Sequence, residues 1–102
     1  MKVFTQSVNF NADKDLLIFV KERFLTLTKF HDKKIDAEVF LKVFNTSDKE
    51  NKRTEVKINI PGRELIIKRE AKTFEEGVNS AVDNLKRQLK RSKEKQRDSV
   101  IL

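Results

Sequence analysis

The residues with the most evident chemistry stand near the C-terminus: Lys86, Arg87, Lys90, Arg91, Lys93, Lys95 and Arg97, accompanied only by the acids Glu94 and Asp98. On a helix, Lys86, Lys90, Lys93 and Arg97 share one side, and Arg87, Arg91 and Lys95 the neighbouring side, which makes a broad cationic surface. Like charges three and four residues apart repel one another unless a partner neutralises them. The chemistry such a ladder offers is electrostatic capture of a polyanion. The rival account is a solvated helix end kept soluble by its charge.

Nothing else in the chain has the residue types and spacing of a reactive centre. The only histidine, His31, lies beside Asp32 with no cysteine in the chain, which suits a turn residue better than a metal ligand or a base. Two glycines, Gly62 and Gly77, are too few for a phosphate-cradling loop, and no nucleophile is paired with a distant histidine in a recognisable motif. The expectation is a protein without catalytic residues, metal or cofactor. No apolar run approaches the roughly 20 residues of a membrane span, and the N-terminus lacks the apolar segment of a signal peptide. A cytoplasmic chain is the default, and the absence of cysteine suits a reducing compartment.

The elements that must position the ladder follow from hydrophobic periodicity. At 102 residues the chain makes one domain. Its net charge of +7 is localised: residues 86–102 contribute +5 and the remainder only +2. A basic cluster on a near-neutral body implies a phosphate-rich partner, an anionic membrane or an acidic protein, and composition does not choose among them. Residues 2–10, β-branched and aromatic, predict a strand, and Asn11 or Asp13 can cap the helix after it. Across 14–30, Leu16, Phe19, Val20, Phe24, Leu27 and Phe30 mark one face of an amphipathic helix. Strict alternation predicts strands at 35–44 and 53–60, with Val39 and Leu41, then Val56 and Ile58, facing inward.

The polar segment 45–52 reads as a loop, and Pro61 with Gly62 as a turn. A fourth strand spans 64–71, its inward face ambiguous because Leu65, Ile66 and Ile67 run together. Thr73, with Glu76 three residues on, caps a final helix over 74–97 whose buried stripe is Val78, Val82, Leu85 and Leu89. Continued to Ser92 and Gln96, that stripe turns polar, so the end of the helix has little to bury. Residues 1–98 form the domain, and 99–102 a frayed tail. The order β-α-β-β-β-α implies an α+β, two-layer domain, with the last three strands in an antiparallel meander and both helices on one face of a four-stranded sheet.

Further cations invite the same two accounts. Lys21, Arg23, Lys29, Lys33 and Lys34, on and after the first helix, extend the basic surface if the helices lie side by side; otherwise they are ordinary solvated residues, with Arg23 lying over the core. Lys42, Lys57, Lys68 and Arg69 are placed on the outer sheet face among Asp36, Glu38, Glu55 and Glu70, a mixture that suits cross-strand ion pairs. Phe40 and Phe44 alternate toward that same face, either as stacking platforms for bases or as packing residues at a sheet edge.

These stretches resemble the ribosome hibernation promoting factors, also called ribosome-associated inhibitors. The likeness lies in the element order and in LLIFVKERFLTLTKF at 16–30, IPGRELII at 60–67 and, most specifically, VDNLKRQLKRSKEK at 82–95. Family members often carry a Tyr and then Ala-Ala-Ile-Asp where this chain has Glu75, Glu76, Gly77, Val78 and Asn79, and Gly77 should weaken the helix locally by roughly 1 kcal/mol relative to Ala. The chain also ends just past the basic helix, like a short form.

The resemblance implies a stress-response protein that binds small-subunit rRNA in the channel used by mRNA and tRNA. Its binding would inhibit translation and protect idle ribosomes, with other hibernation factors as further partners and neither a membrane nor a small-molecule substrate. Lys86, Arg87, Lys90, Arg91, Lys93, Lys95 and Arg97 would then make the main phosphate contacts, with Lys21, Lys29 and Lys34 secondary. A generic duplex-RNA binder and a module docking an acidic protein remain the alternatives.

Overall fold

The computed structural model describes residues 1–30, 35–44, 50–60 and 62–101, the side chains of 93–101 excepted. Its elements are β1 (Val3–Val8), α1 (Lys14–Leu25), a 3₁₀ turn (Thr26–Phe30), β2 (Ala37–Val43), β3 (Lys52–Ile60), β4 (Arg63–Ala71) and α2 (Phe74–Ile101). The strands form one mixed sheet in the order β1-β2-β3-β4, with β1 parallel to β2 and the other two pairings antiparallel. A parallel pair needs a long crossover, which α1 provides; the antiparallel pairs need only turns. Both helices pack on one face, α1 against β1 and α2, and α2 against β3 and β4. That is the β-α-β-β-β-α arrangement expected from periodicity.

Local chemistry sets the boundaries. The Asp13 carboxylate accepts from the Leu16 amide at 2.7 Å and so caps α1. The expected single helix over 14–30 tightens into the 3₁₀ turn after Leu25. There the hydroxyls of Thr26 and Thr28 donate to the carbonyls of Arg23 and Leu25 at 2.6 and 2.9 Å, drawing the chain off regular α geometry. Thr73 Oγ1 accepts from the Glu76 amide at 3.2 Å at the start of α2. The β3–β4 hairpin closes with Ile60 opposite Arg63, and Gly62 takes φ 88°, a conformation that glycine adopts without steric cost. Pro61, the other half of the expected turn, lies outside the described residues, as do residues 31–34 and 45–49.

The core lies between sheet and helices. Val20, Phe24 and Leu27 meet Ala37, Val39, Leu41, Val56 and Ile58 from the sheet, and Val78, Ala81, Val82, Leu85 and Leu89 from α2. The structure resolves the ambiguity in β4: Leu65 and Ile67 are buried, while Ile66 is 62% exposed on the outer face. Gly77 is explained by packing. A Cβ there would lie 2.8 Å from Oγ1 of fully buried Thr54, so α2 approaches β3 more closely than alanine permits. The local cost in helix propensity is thus accepted for contact with the sheet.

Candidate nucleic-acid interface

The basic ladder begins where α2 is anchored, beside Leu89, the last buried residue of the helix among those described. Leu85 and Leu89 are fully buried, whereas Arg87, Lys90 and Arg91, on the other side of the helix, are exposed. α2 starts near the end of β4, at Ala71, and runs back toward its beginning. Beyond Leu89 the helix continues for twelve residues to Ile101, about 18 Å at 1.5 Å per residue. Lys93, Lys95 and Arg97 belong to that extension, on a helical backbone, with their side chains outside the described set.

The structure divides the ladder into two sides. Lys86 leans toward the first helical segment, its Nζ 5.8 Å from the centroid of the Phe30 ring, within cation–π range. Because α1 and the 3₁₀ turn lie alongside α2, exposed Lys21 and Lys29 belong to the same helical layer as the ladder. Lys33 and Lys34 fall outside the described residues, as does His31. Arg23 is half-buried, and its Nε is enclosed with no hydrogen-bond partner among the described residues. On the opposite flank, Arg87 and Arg91 join Arg63, Asn84 and Gln88 around an open cleft of about 340 Å³. Gln88 Nε2 donates to Asn84 Oδ1 across one helical turn.

Arg63, Asn84 and Gln88 were not among the residues expected from sequence. Arg63 shares the parity of Leu65 and Ile67 and so turns to the helix side of the sheet, and it opens β4 at the hairpin end toward which α2 runs. With the inward face of β4 ambiguous, that parity was hidden.

Charge is handled differently on the outer sheet face. There Lys42 lies 2.8 Å from Glu55, Arg53 3.4 Å from Glu55, and Lys57 3.3 Å from Glu64. The Arg53 guanidinium also pairs with Glu70, its Nε at 3.0 Å. Of the expected residues, Lys42, Lys57, Glu55 and Glu70 form cross-strand pairs, with Arg53 and Glu64 as their further partners. The hydrogen bond from Lys42, followed by contributions from Arg53 and Lys68, holds the Glu55 carboxyl below the usual range, against the opposing effect of burial. Glu70 and Glu55 correspondingly raise the pKa of Arg53.

One placement needs correction. Arg69 is not on the outer face: it has the parity of Leu65 and Ile67, and on the helix side its Nε donates to Ser80 Oγ at 3.1 Å. Phe44 remains exposed, with the Arg53 guanidinium over its ring, 4.4 Å from the centroid. Phe40 is half-buried and lines a shallow cleft with Phe4, Gln6 and Glu38. Among the described residues no group of three or more His, Cys, Asp or Glu side chains is placed to hold a metal, and no helix is long and apolar enough to cross a membrane.

Comparison with known proteins bears directly on this basic α+β scaffold. Residues 3–97 match the model of the Ribosomal_S30AE family, described as sigma 54 modulation protein / S30EA ribosomal protein. The chain belongs to this family. Its members are ribosome-associated regulators of translation and not enzymes. A search of curated proteins gives no match. Among solved structures, the chain is similar to the N-terminal domain of Protein Y from Thermus thermophilus. That alignment has a TM-score of 0.76 and 22% identity, and covers 89% of this chain and 98% of that one. It is also similar to a ribosomal subunit interface protein from Coxiella burnetii, with a TM-score of 0.74 and 13% identity, covering 91% and 98%. At these identities the structural matches establish a shared fold. The family match establishes the ribosomal association.

Proposed function

We propose that this protein is a cytoplasmic ribosome hibernation factor. In this reading it occupies the mRNA and tRNA decoding channel of the small subunit, inhibits translation, and protects idle ribosomes under stress. The observation that carries the reading is the set of unpaired cations on the outer side of α2. Arg87, Lys90 and Arg91 are exposed and have no carboxylate partner among the described residues, on the side of the helix opposite its buried stripe. Phosphate is the natural counter-charge for a rigid row of this kind, and binding to it depends little on sequence. An RNA fold recognised by shape then supplies selectivity.

Arg87, Lys90 and Arg91, continued by Lys93, Lys95 and Arg97, make the main phosphate contacts. Lys86 contributes from the Phe30 side, Lys21 and Lys29 from the first helical segment, and Lys34 from the sequence just after it. Co-sedimentation with small ribosomal subunits, with and without saturating mRNA and initiator tRNA and at two salt concentrations, tests the assignment. Binding that mRNA and tRNA displace is the expected result. Binding indifferent to them, or competed equally by plain duplex RNA, would mean a different RNA surface. Absence of binding at low salt would leave an acidic protein as the partner.

A further inference from the structure

Among the described residues, the cleft on the β4 side of α2 is lined by cations without acids. Arg63 comes from the first residue of β4, and Arg87 and Arg91 from successive turns of α2, so three guanidinium groups from two elements border one opening of about 340 Å³. None of the three has a salt-bridge partner among the described residues. Glu64, the acid nearest Arg63 in sequence, lies on the opposite face of the sheet and pairs with Lys57. Gathering three like charges around one opening is unfavourable unless an anion enters it, and the planar guanidinium fork matches phosphate oxygens two at a time.

The opening is at the lower end of the range of about 300–1,000 Å³ typical of clefts that hold small organic groups, which is more than one phosphate requires. Its remaining lining among the described residues is the carboxamide pair Asn84 and Gln88. Their mutual hydrogen bond uses one donor and one acceptor and leaves a carboxamide oxygen and N–H groups available. A group that both donates and accepts fits that remainder, and a ribose 2′-hydroxyl beside a phosphate is such a group.

We propose that Arg63, Arg87 and Arg91 clamp one backbone phosphate of bound RNA while Asn84 and Gln88 hold the adjoining 2′-hydroxyl, so that this cleft distinguishes RNA from DNA. The identity of the occupant rests on the proposed ribosomal function; the clamp itself does not. The test is an NMR titration of the ¹⁵N-labelled full chain with uridine 3′-monophosphate and its 2′-deoxy counterpart at constant ionic strength.

The expected result is saturable movement of the three arginine Nε–H signals with both nucleotides, and movement of the Asn84 and Gln88 side-chain amides with the ribonucleotide only. The ribonucleotide should bind about tenfold more tightly, the worth of one or two good hydrogen bonds. Arg63→Gln should abolish saturation and weaken subunit binding about tenfold. Arg63→Lys, which keeps the charge and loses the fork, should fall between. Linear, unsaturable shifts would overturn the clamp. Equal affinity for the two nucleotides would overturn the 2′-hydroxyl contact, and an unchanged subunit affinity in Arg63→Gln would overturn the RNA occupant. Saturable arginine shifts in a protein that never co-sediments with subunits would instead refute the ribosomal reading and leave the clamp in place.

Discussion

On the outer face of the sheet Lys42, Arg53 and Lys57 each lie beside Glu55, Glu70 or Glu64, whereas on the outer side of α2 Arg87, Lys90 and Arg91 meet no carboxylate among the described residues. Both regions are rich in lysine and arginine, so a count of basic residues ranks them alike. What separates them is strand register. Antiparallel pairing sets Glu55 opposite Lys68 and Arg53 opposite Glu70, so the sheet neutralises its own charge. The helix repeats cations on adjoining sides and leaves them for a partner. A cationic surface becomes evidence of polyanion binding only after the internal pairs have been subtracted.

Charge reversal tests that difference most directly. The double variant Lys90→Glu/Arg91→Glu should weaken binding to small subunits by about 100-fold or more at low salt, because it removes two phosphate contacts and adds two repulsions. Its unfolding midpoint should stay close to that of the parent, since neither side chain is buried. The matched reversal on the sheet, Lys42→Glu/Lys57→Glu, should change affinity by less than about threefold, because it breaks only the internal pairs with Glu55 and Glu64, each worth about 0–1 kcal/mol. Equal losses in the two double variants would erase the distinction.

The proximal turns of α2 should show the converse behaviour. Gly77→Ala should improve helix propensity by about 1 kcal/mol. It also drives a methyl group to 2.8 Å from Thr54 Oγ1 in a fully buried site. Overpacking of that kind costs about 1–3 kcal/mol, so the net effect in denaturant unfolding should be destabilising. In a Thr54→Ala background the steric term disappears and the same change should become neutral or stabilising, a reversal that a double-mutant cycle would measure. Affinity per folded molecule should not move, which separates the part of α2 that builds the fold from the part that meets the partner.

A finer measurement concerns a single contact. Lys90→Gln should reduce the slope of log affinity against log salt by about 0.7–0.9, the contribution of one released counterion. A variant with lower affinity and an unaltered slope would show that Lys90 acts through something other than a phosphate.

Most of the fold was legible because periodicity is a direct record of burial. Strict alternation in β2 and β3, and Val78, Val82, Leu85 and Leu89 on α2, identify the inward faces without knowledge of topology. The basic ladder was equally open to view, because it departs from the helix's own apolar stripe. Arg63 and Arg69 were harder to place, since the consecutive apolar residues Leu65 to Ile67 conceal the parity of β4, and only pairing with β3 reveals which way they turn. Asn84 and Gln88 carry no charge and stand out only once the helix is seen against β4. The pairing of Phe44 with Arg53 depends on residues brought together from two strands, a relation that a linear reading does not contain.

The smallest expected effect lies on the neutralised face and bears on its role in stability. Lys42, through its hydrogen bond, and then Arg53 and Lys68 hold Glu55 ionised to lower pH in the folded chain than in the unfolded one. A carboxyl with a depressed folded pKa contributes stability that is fully present above its unfolded value, about 4.3, and is lost as pH falls through the lower folded value. Glu55→Gln should therefore cost no more than about 1 kcal/mol at neutral pH, as expected of a solvent-screened pair. The gap from the parent should close as pH falls through that lower folded value. Unfolding curves for the two proteins across that range provide the measurement. A gap constant with pH would mean that Glu55 contributes by packing and hydrogen-bond geometry, and that its charge does not stabilise this face.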